Sequence, residues 1–246
     1  MTGIEIALII VGILIAIVAL ASCITAFWLI FKYSAFNRRE NSLGLSGTQI
    51  ARKILSDHGL SHIAVTATGS ICFGNSYSHY FQKVRLRRLT RNETSITSLG
   101  MGAQKAALAL LDKEGDPDMQ KRIRLVPLIT FGPFAFIPLV VIGLILDLVI
   151  FSTVGACTLA LGVLGFLFYA YAIVLSVMTL KTERKAQLRA YDLLRDRYGA
   201  SEEDLSALRE LFRLYNVQYV NDIILSSLEL IYRILKIVMK IKKLKD

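Results

Sequence analysis

No lysine or arginine occurs in residues 1–31 or in residues 125–180, although the 246-residue chain holds 29 of them. Each blank window is longer than the roughly 20 apolar residues that one membrane-spanning helix needs. Glu5 and Asp147 are the only charges inside the two windows, so the remaining stretches hold all 29 basic residues against 17 acidic ones, a formal +12 within the chain's net +10. Hydrophobic residues make up 54% of the chain against roughly 45–50% in soluble domains, and mean hydropathy is +0.52. That content excludes a disordered chain, and three cysteines exclude a disulfide scaffold. Apolar and basic residues separated in this way predict a mainly α integral membrane protein, with about three transmembrane helices and a small cytosolic part.

Residues 1–31 are expected to form one anchor, since they lack the basic leader and small-residue cleavage pattern of a secretory signal. Residues 125–180 suffice for two spans, Pro127–Phe151 and Thr153–Thr179, joined as a hairpin at Ser152-Thr153. Lys32, Arg38 and Arg39 follow the first span, Lys121, Arg122 and Arg124 precede the second, and Lys181, Arg184 and Lys185 follow the third. The positive-inside rule then sets the N-terminus and the hairpin tip outside and both basic stretches in the cytosol of a multi-pass cell-membrane protein. Residues 219–246 differ, because Asp222, Glu229, Arg233 and Lys236 interrupt the apolar run Val220–Met239. A fourth span would also carry the terminal lysines outside. An interfacial basic amphipathic helix is expected there, with Lys236, Lys240, Lys242, Lys243 and Lys245 turned to anionic headgroups.

Residues 32–124 and 181–218 form the cytosolic pieces. Ser46 is a candidate N-cap for a helix over Gly47–Asp57, with Gly59 as its stop. Ile63-Ala64-Val65 and Lys83-Val84-Arg85-Leu86 read as short strands around a Gly/Ser-rich turn, Thr68 to His79; alternation in the second buries one face and leaves the other positive. Thr90-Arg91-Asn92-Glu93 reads as a capping box opening a helix that runs through Lys113 and ends at Gly115-Asp116-Pro117. The third span is expected to continue as a helix to Tyr198, and Ser201-Glu202-Glu203-Asp204 to cap another over 202–216.

These pieces, in this order, resemble the bacterial neutral zinc metallopeptidases of the membrane. The resemblance rests first on Gly44-Leu45-Ser46-Gly47-Thr48-Gln49-Ile50-Ala51-Arg52-Lys53-Ile54-Leu55 and the closing Gly59-Leu60. Val84-Arg85-Leu86, Asp112 with Gly115, and Thr179-Leu180 with Glu183, Ala186 and Ala190 extend it along nearly the whole chain. It implies a zincin-like α+β part within 32–124. In a zincin, two His one helical turn apart hold the metal, and the Glu after the first is the base for metal-bound water. Aligned on Asp112 and Gly115, the family's His-Glu-x-x-His falls on Gln104-Lys105-Ala106-Ala107-Leu108. Gln104 and Leu108 then stand where the imidazoles belong, and Lys105 where the base belongs. Glu183 matches the family's third ligand, and Lys185 stands at its next acidic or amide position. The family's Asp-His-Tyr-Asp-Pro turn is matched by Asn75-Ser76-Tyr77-Ser78-His79, which keeps only Tyr77. On this alignment no catalytic residue remains, and the zinc cofactor of the resembled family is not expected.

No second site assembles from the remaining residues. His58 and His62 have i, i+4 spacing, but Gly59-Leu60 between them breaks a helical face, so both read as surface residues flanking a turn. His79 reads as a turn residue, and Cys23, Cys72 and Cys157 as packing residues without a Cys-x-x-Cys pair. Glu183, amid Lys181, Arg184 and Lys185, reads as a surface ion-pair partner. The patch Lys83, Arg85, Arg87, Arg88 and Arg91 reads as positive-inside charge that also suits an acidic partner or lipid headgroups. Nucleic acid is not expected, since no aromatics interleave the patch. Asp147 is expected to reach headgroups near the outer end of the second span.

The resulting expectation is a metallopeptidase-like membrane protein without catalytic activity, acting as a scaffold for a peptide or another membrane protein and in contact with membrane lipid. Two alternatives stand beside it. One is an active membrane metallopeptidase with a non-standard site built from His58, His62, His79 and Glu183. The other is a membrane-surface adaptor that binds acidic lipid or protein.

Overall fold

The protein is described by a computed structural model that covers residues 3–68, 74–149 and 155–245, without the side chains of 126–137 and 240–245. Helices α1 (Gly3–Asn37) and α2 (Gly47–Asp57) precede strands β1 (Ala64–Ala67), β2 (Ser76–Ser78) and β3 (Lys83–Leu86). Five helices follow: α3 (Arg88–Asn92), α4 (Ile96–Lys113), α5 (Pro117–Val149), α6 (Ala156–Asp192) and α7 (Glu202–Lys245). A single π-helical turn, Leu193–Arg197, ends α6. The chain divides into two compact units, one of residues 23–123 and 180–219, the other of residues 1–22, 124–179 and 220–246.

The core of the first unit is α4. From Ile96 to Leu111 every residue of this helix is buried, polar Gln104 and charged Lys105 included. Its Ala and Gly content permits this, because small side chains let neighbours approach on all faces. A Cβ on Gly102 would lie 2.3 Å from the Gly47 carbonyl oxygen, and one on Gly100 would lie 2.2 Å from Leu208 Cδ2. Helix α2 therefore touches α4 backbone to backbone, with Ile50, Ile54 and Leu55 fully packed beside the contact. Burying each of these stabilises the fold by about 1.5–3 kcal/mol relative to exposure.

Ser46 caps α2 as expected and forms a capping box with Gln49, whose side chain accepts from the Ser46 backbone N–H at 2.7 Å. Gly59 follows in the left-handed region at φ +68°. The sheet is three-stranded in the order β1-β3-β2, with β1 parallel and β2 antiparallel to β3. Strand β2 occupies residues that the sequence assigns to the turn, and its centre, 69–73 with Cys72, lies outside the described residues. Val84 and Leu86 of β3 are buried and Lys83 faces out, as the alternation predicts.

Two boundaries differ from expectation. Thr90 does not open α4: it is buried inside the short α3, where its hydroxyl accepts from Asn75 Nδ2 at 3.2 Å. Ser95 takes the capping role, accepting from Ser98 N at 3.1 Å. Helix α7 does not stop near 216 but runs unbroken to Lys245, because no Gly or Pro interrupts it. Asp204 in its first turn accepts from Ser42 N and Oγ at 2.7 and 2.6 Å, tying α7 to the loop after α1.

In the second unit, α5 and α6 meet closely: a Cβ on Gly143 would lie 2.7 Å from Thr158 Cα. Asp147 is not aimed at solvent. It is 1% exposed and caps α6, accepting from the backbone N–H of Gly155, Cys157 and Thr158 and from the Thr158 hydroxyl at 2.6–3.0 Å. These would otherwise be orphan donors of a helix start. Among the described residues, two helices are long and apolar enough to cross a membrane, Gly3–Asn37 and Ala156–Arg197, while Pro138–Val149 is a shorter apolar stretch. Their surfaces present Ile13, Ile17, Leu20, Leu159, Val163 and Leu167. The expected hairpin tip at Ser152-Thr153 and the side chains of Lys240, Lys242, Lys243 and Lys245 lie outside the described residues.

Candidate functional site

Gln104, Leu108 and Asp112 fall one turn apart on one side of α4, as i, i+4, i+8 spacing requires, and Lys105 follows Gln104 directly. Leu108 is wholly buried and packs into the core. Lys105 is buried too, and a buried ammonium is strongly unfavourable unless paired. Its partner is Glu183, brought in by the extension of α6 beyond residue 179. Lys105 Nζ and Gln104 Nε2 donate to Glu183 Oε2 at 2.8 and 2.9 Å. Arg122, in the second turn of α5, donates to the other oxygen at 2.8 Å.

Glu183 is therefore not a surface residue. Its side chain is 18% exposed and both oxygens are occupied. Burial pushes its carboxyl up, but the charges and hydrogen bonds of Lys105 and Arg122 outweigh burial and hold it at about 2. Lys105 and Arg122 oppose one carboxylate, so the cluster is net cationic, and among the described residues Arg122 Nη1 is buried without a hydrogen-bond partner.

The start of α5 and the link that precedes it are joined to α6 by further ion pairs. Lys185 contacts Asp116 and Asp118 at 2.7 and 2.6 Å, Lys181 contacts Asp118 at 3.1 Å, and Arg189 contacts Glu114 at 2.9 Å. Hydrogen bonds from Lys185 and Lys181 hold Asp118 below its ordinary range. Glu183–Arg122 is the buried member of an otherwise more exposed ladder.

A second cluster lies one turn further along α4. Tyr77 from β2 donates its hydroxyl to Asp112 Oδ2 at 2.6 Å, and His79 Nδ1 meets the same oxygen at 2.6 Å. Gln120 Nε2 reaches the other oxygen at 3.1 Å. Burial, followed by the Asp112 hydrogen bond, raises the Tyr77 phenol well above its ordinary value. Asn75 closes the turn into α3, accepting from Arg87 N at 2.7 Å.

The histidines go to separate partners. His58 Nδ1 lies 2.7 Å from the Ile54 carbonyl oxygen at the end of α2, His62 is exposed, and His79 pairs with Asp112. Among the described residues, no three His, Cys, Asp or Glu side chains are arranged to hold a metal ion. Lys83, Arg87 and Arg88 are exposed, while Arg85 and Arg91 are half-buried. Among the described residues none of these five forms an ion pair.

Arg122 is the functional-site residue that the sequence reading leaves out. No local spacing marks it, since its partner is 61 positions away. The signal that could find it is charge complementarity between the start of α5 and the end of α6, read antiparallel. The Tyr77–Asp112 contact has no local signal either, because it joins a strand to a helix across 35 positions.

The family model described as "Putative neutral zinc metallopeptidase" matches residues 10–238. That match spans both helical clusters and every element from α1 to most of α7. No curated protein and no solved structure matches the chain.

Proposed function

The chain belongs to the neutral zinc metallopeptidase family, and from that membership we propose that it is a membrane-anchored member whose metal site has been exchanged for a salt-bridged core, leaving a binding scaffold. The observation that carries this reading is the contact of Lys105 with Glu183 at 2.8 Å. The ammonium stands beside the carboxylate that the family resemblance assigns to zinc. A zinc ion needs several anionic or imidazole donors turned to one point. Here the donor set is an amide, an ammonium, a leucine and one carboxylate already saturated by three donors. These residues do not fit zinc, and no peptide-hydrolysis step is derived from them.

Three spans form the anchor in this reading, residues 1–31 and the hairpin 125–180, with the N-terminus outside. The apolar surface of α1 and α6 supports it, as do the basic flanks. Exposed Val217, Val220, Ile224, Ile231, Ile234 and Val238 repeat along one stripe of α7, which supports contact of that helix with lipid. The bound class is a peptide or another membrane protein, held by the scaffold that an active peptidase would use for substrate.

Metal content of the purified wild-type protein tests the proposal. We expect substoichiometric zinc and no change on Glu183→Ala. One zinc per chain, abolished by Glu183→Ala, would sink it. The triple variant Gln104→His, Lys105→Glu, Leu108→His supplies the positive arm: it should gain zinc that the wild type does not hold.

A further inference from the structure

Strands β2 and β3 are joined by His79-Tyr80-Phe81-Gln82, and this turn is built to hold its shape. Gln82 adopts φ +46°, its N–H donates to the His79 carbonyl at 3.2 Å, and its side-chain amide donates to the same oxygen at 2.7 Å. What the turn presents is apolar: Tyr80 is 64% and Phe81 63% exposed, with Leu89 at 57% after the strand. Adjacent exposed aromatics on an ordered turn mark an interaction surface rather than a packing accident. The exposed charges that follow them along the chain, Lys83, Arg87 and Arg88, are positive. Arg85 lies over the Phe81 ring at 5.4 Å.

The position of the turn points to the occupant. Tyr80 donates its hydroxyl to the Ile123 carbonyl oxygen at 3.2 Å, so the tip is fastened to α5. Ile123 precedes the start of the second expected span, Pro127, by four residues, about 6 Å along the helix. Exposed Lys121 and Arg124 flank it. Two adjacent exposed rings, one with a polar hydroxyl, beside cations that form no ion pair among the described residues and bonded to a residue four positions ahead of the expected span, match the chemistry of the membrane interface.

We propose that the β2–β3 turn is a membrane-surface anchor that inserts Tyr80 and Phe81 among anionic phospholipid headgroups, with Lys83 and Arg85 binding the phosphates. This rests on the reading of residues 125–180 as a spanning hairpin.

The test uses the full-length protein in nanodiscs with Trp28, the single tryptophan, replaced by Phe. Phe81→Trp then reports on the tip and, in a separate protein, Ile145→Trp on the span. In discs containing acyl-brominated phosphatidylglycerol, Trp at 81 should emit to the blue of its unfolded-state spectrum and be strongly quenched. Quenching should fall in purely phosphatidylcholine discs with the same bromination, with added salt, and on Lys83→Glu with Arg85→Glu. Quenching at 145 with none at 81 overturns the anchor and leaves the span. No quenching at either overturns both. Blue emission at 81 without quenching means that protein covers the tip, which also overturns the proposal. Equal quenching in both lipids removes the anionic headgroup from it.

Discussion

At the residue scale, Glu183 decides the character of the site. Removing one member of a buried ion pair leaves the other charge without compensation, which costs about 3–5 kcal/mol. Glu183→Ala leaves two cations, Lys105 and Arg122, and is expected to destabilise by that amount in denaturant unfolding. Lys105→Met leaves Glu183 matched one-to-one with Arg122 and should cost far less. Equal losses in the two variants would contradict the role given to Glu183. The pH dependence follows from the same group. Its folded value, about 2, lies below the roughly 4.3 of an unperturbed Glu, so the stabilisation is complete above that value. It should disappear as pH falls from the ordinary value through about 2. Unfolding of Glu183→Gln, followed over the same window, should lack this component.

At the element scale, α4 is held by backbone contacts that small residues allow. Gly102→Val places branched carbons where the Gly47 carbonyl already stands, 2.3 Å from the added Cβ. Overpacking of this kind costs about 1–3 kcal/mol. Limited proteolysis should then cut earlier around α2 than in the wild type. Elements differ in how plainly the sequence announces them. Ser46, Gly59, Gly115 and Gly199 mark helix ends because a cap or a left-handed glycine acts within a few residues, and the three glycines do take φ of +67° to +70°. Thr90 misleads because its capping pattern is as good as the true one locally. What separates them is tertiary: both are buried, but the Thr90 hydroxyl accepts from Asn75, whereas that of Ser95 accepts from Ser98 N. The parallel β1–β3 pairing is likewise invisible to alternation, which fixes which face is buried but not which strand is the neighbour.

At the scale of the whole molecule, the two windows without basic residues give the helical frame directly, since hydropathy acts over lengths that a sequence displays. Family membership is also legible, because the ordered set from Gly44 to Ala190 lies within the matched residues 10–238. The residues at positions 104, 105 and 108 can be read as well. Their partnership cannot, because Arg122 and Glu183 meet only once α5 and α6 are folded. The same interlock has a mechanical consequence. The contacts 114–189, 116–185, 118–181 and 122–183 act as a key cut in one register. Sliding α6 by one turn toward the start of α5 would set Glu183 against Asp118, anion on anion. Sliding it the other way would strip Glu183 from Arg122 and leave both charges buried. A piston stroke of a full turn is therefore opposed in both directions, which leaves rotation or bending as the less costly relative motions of these helix ends.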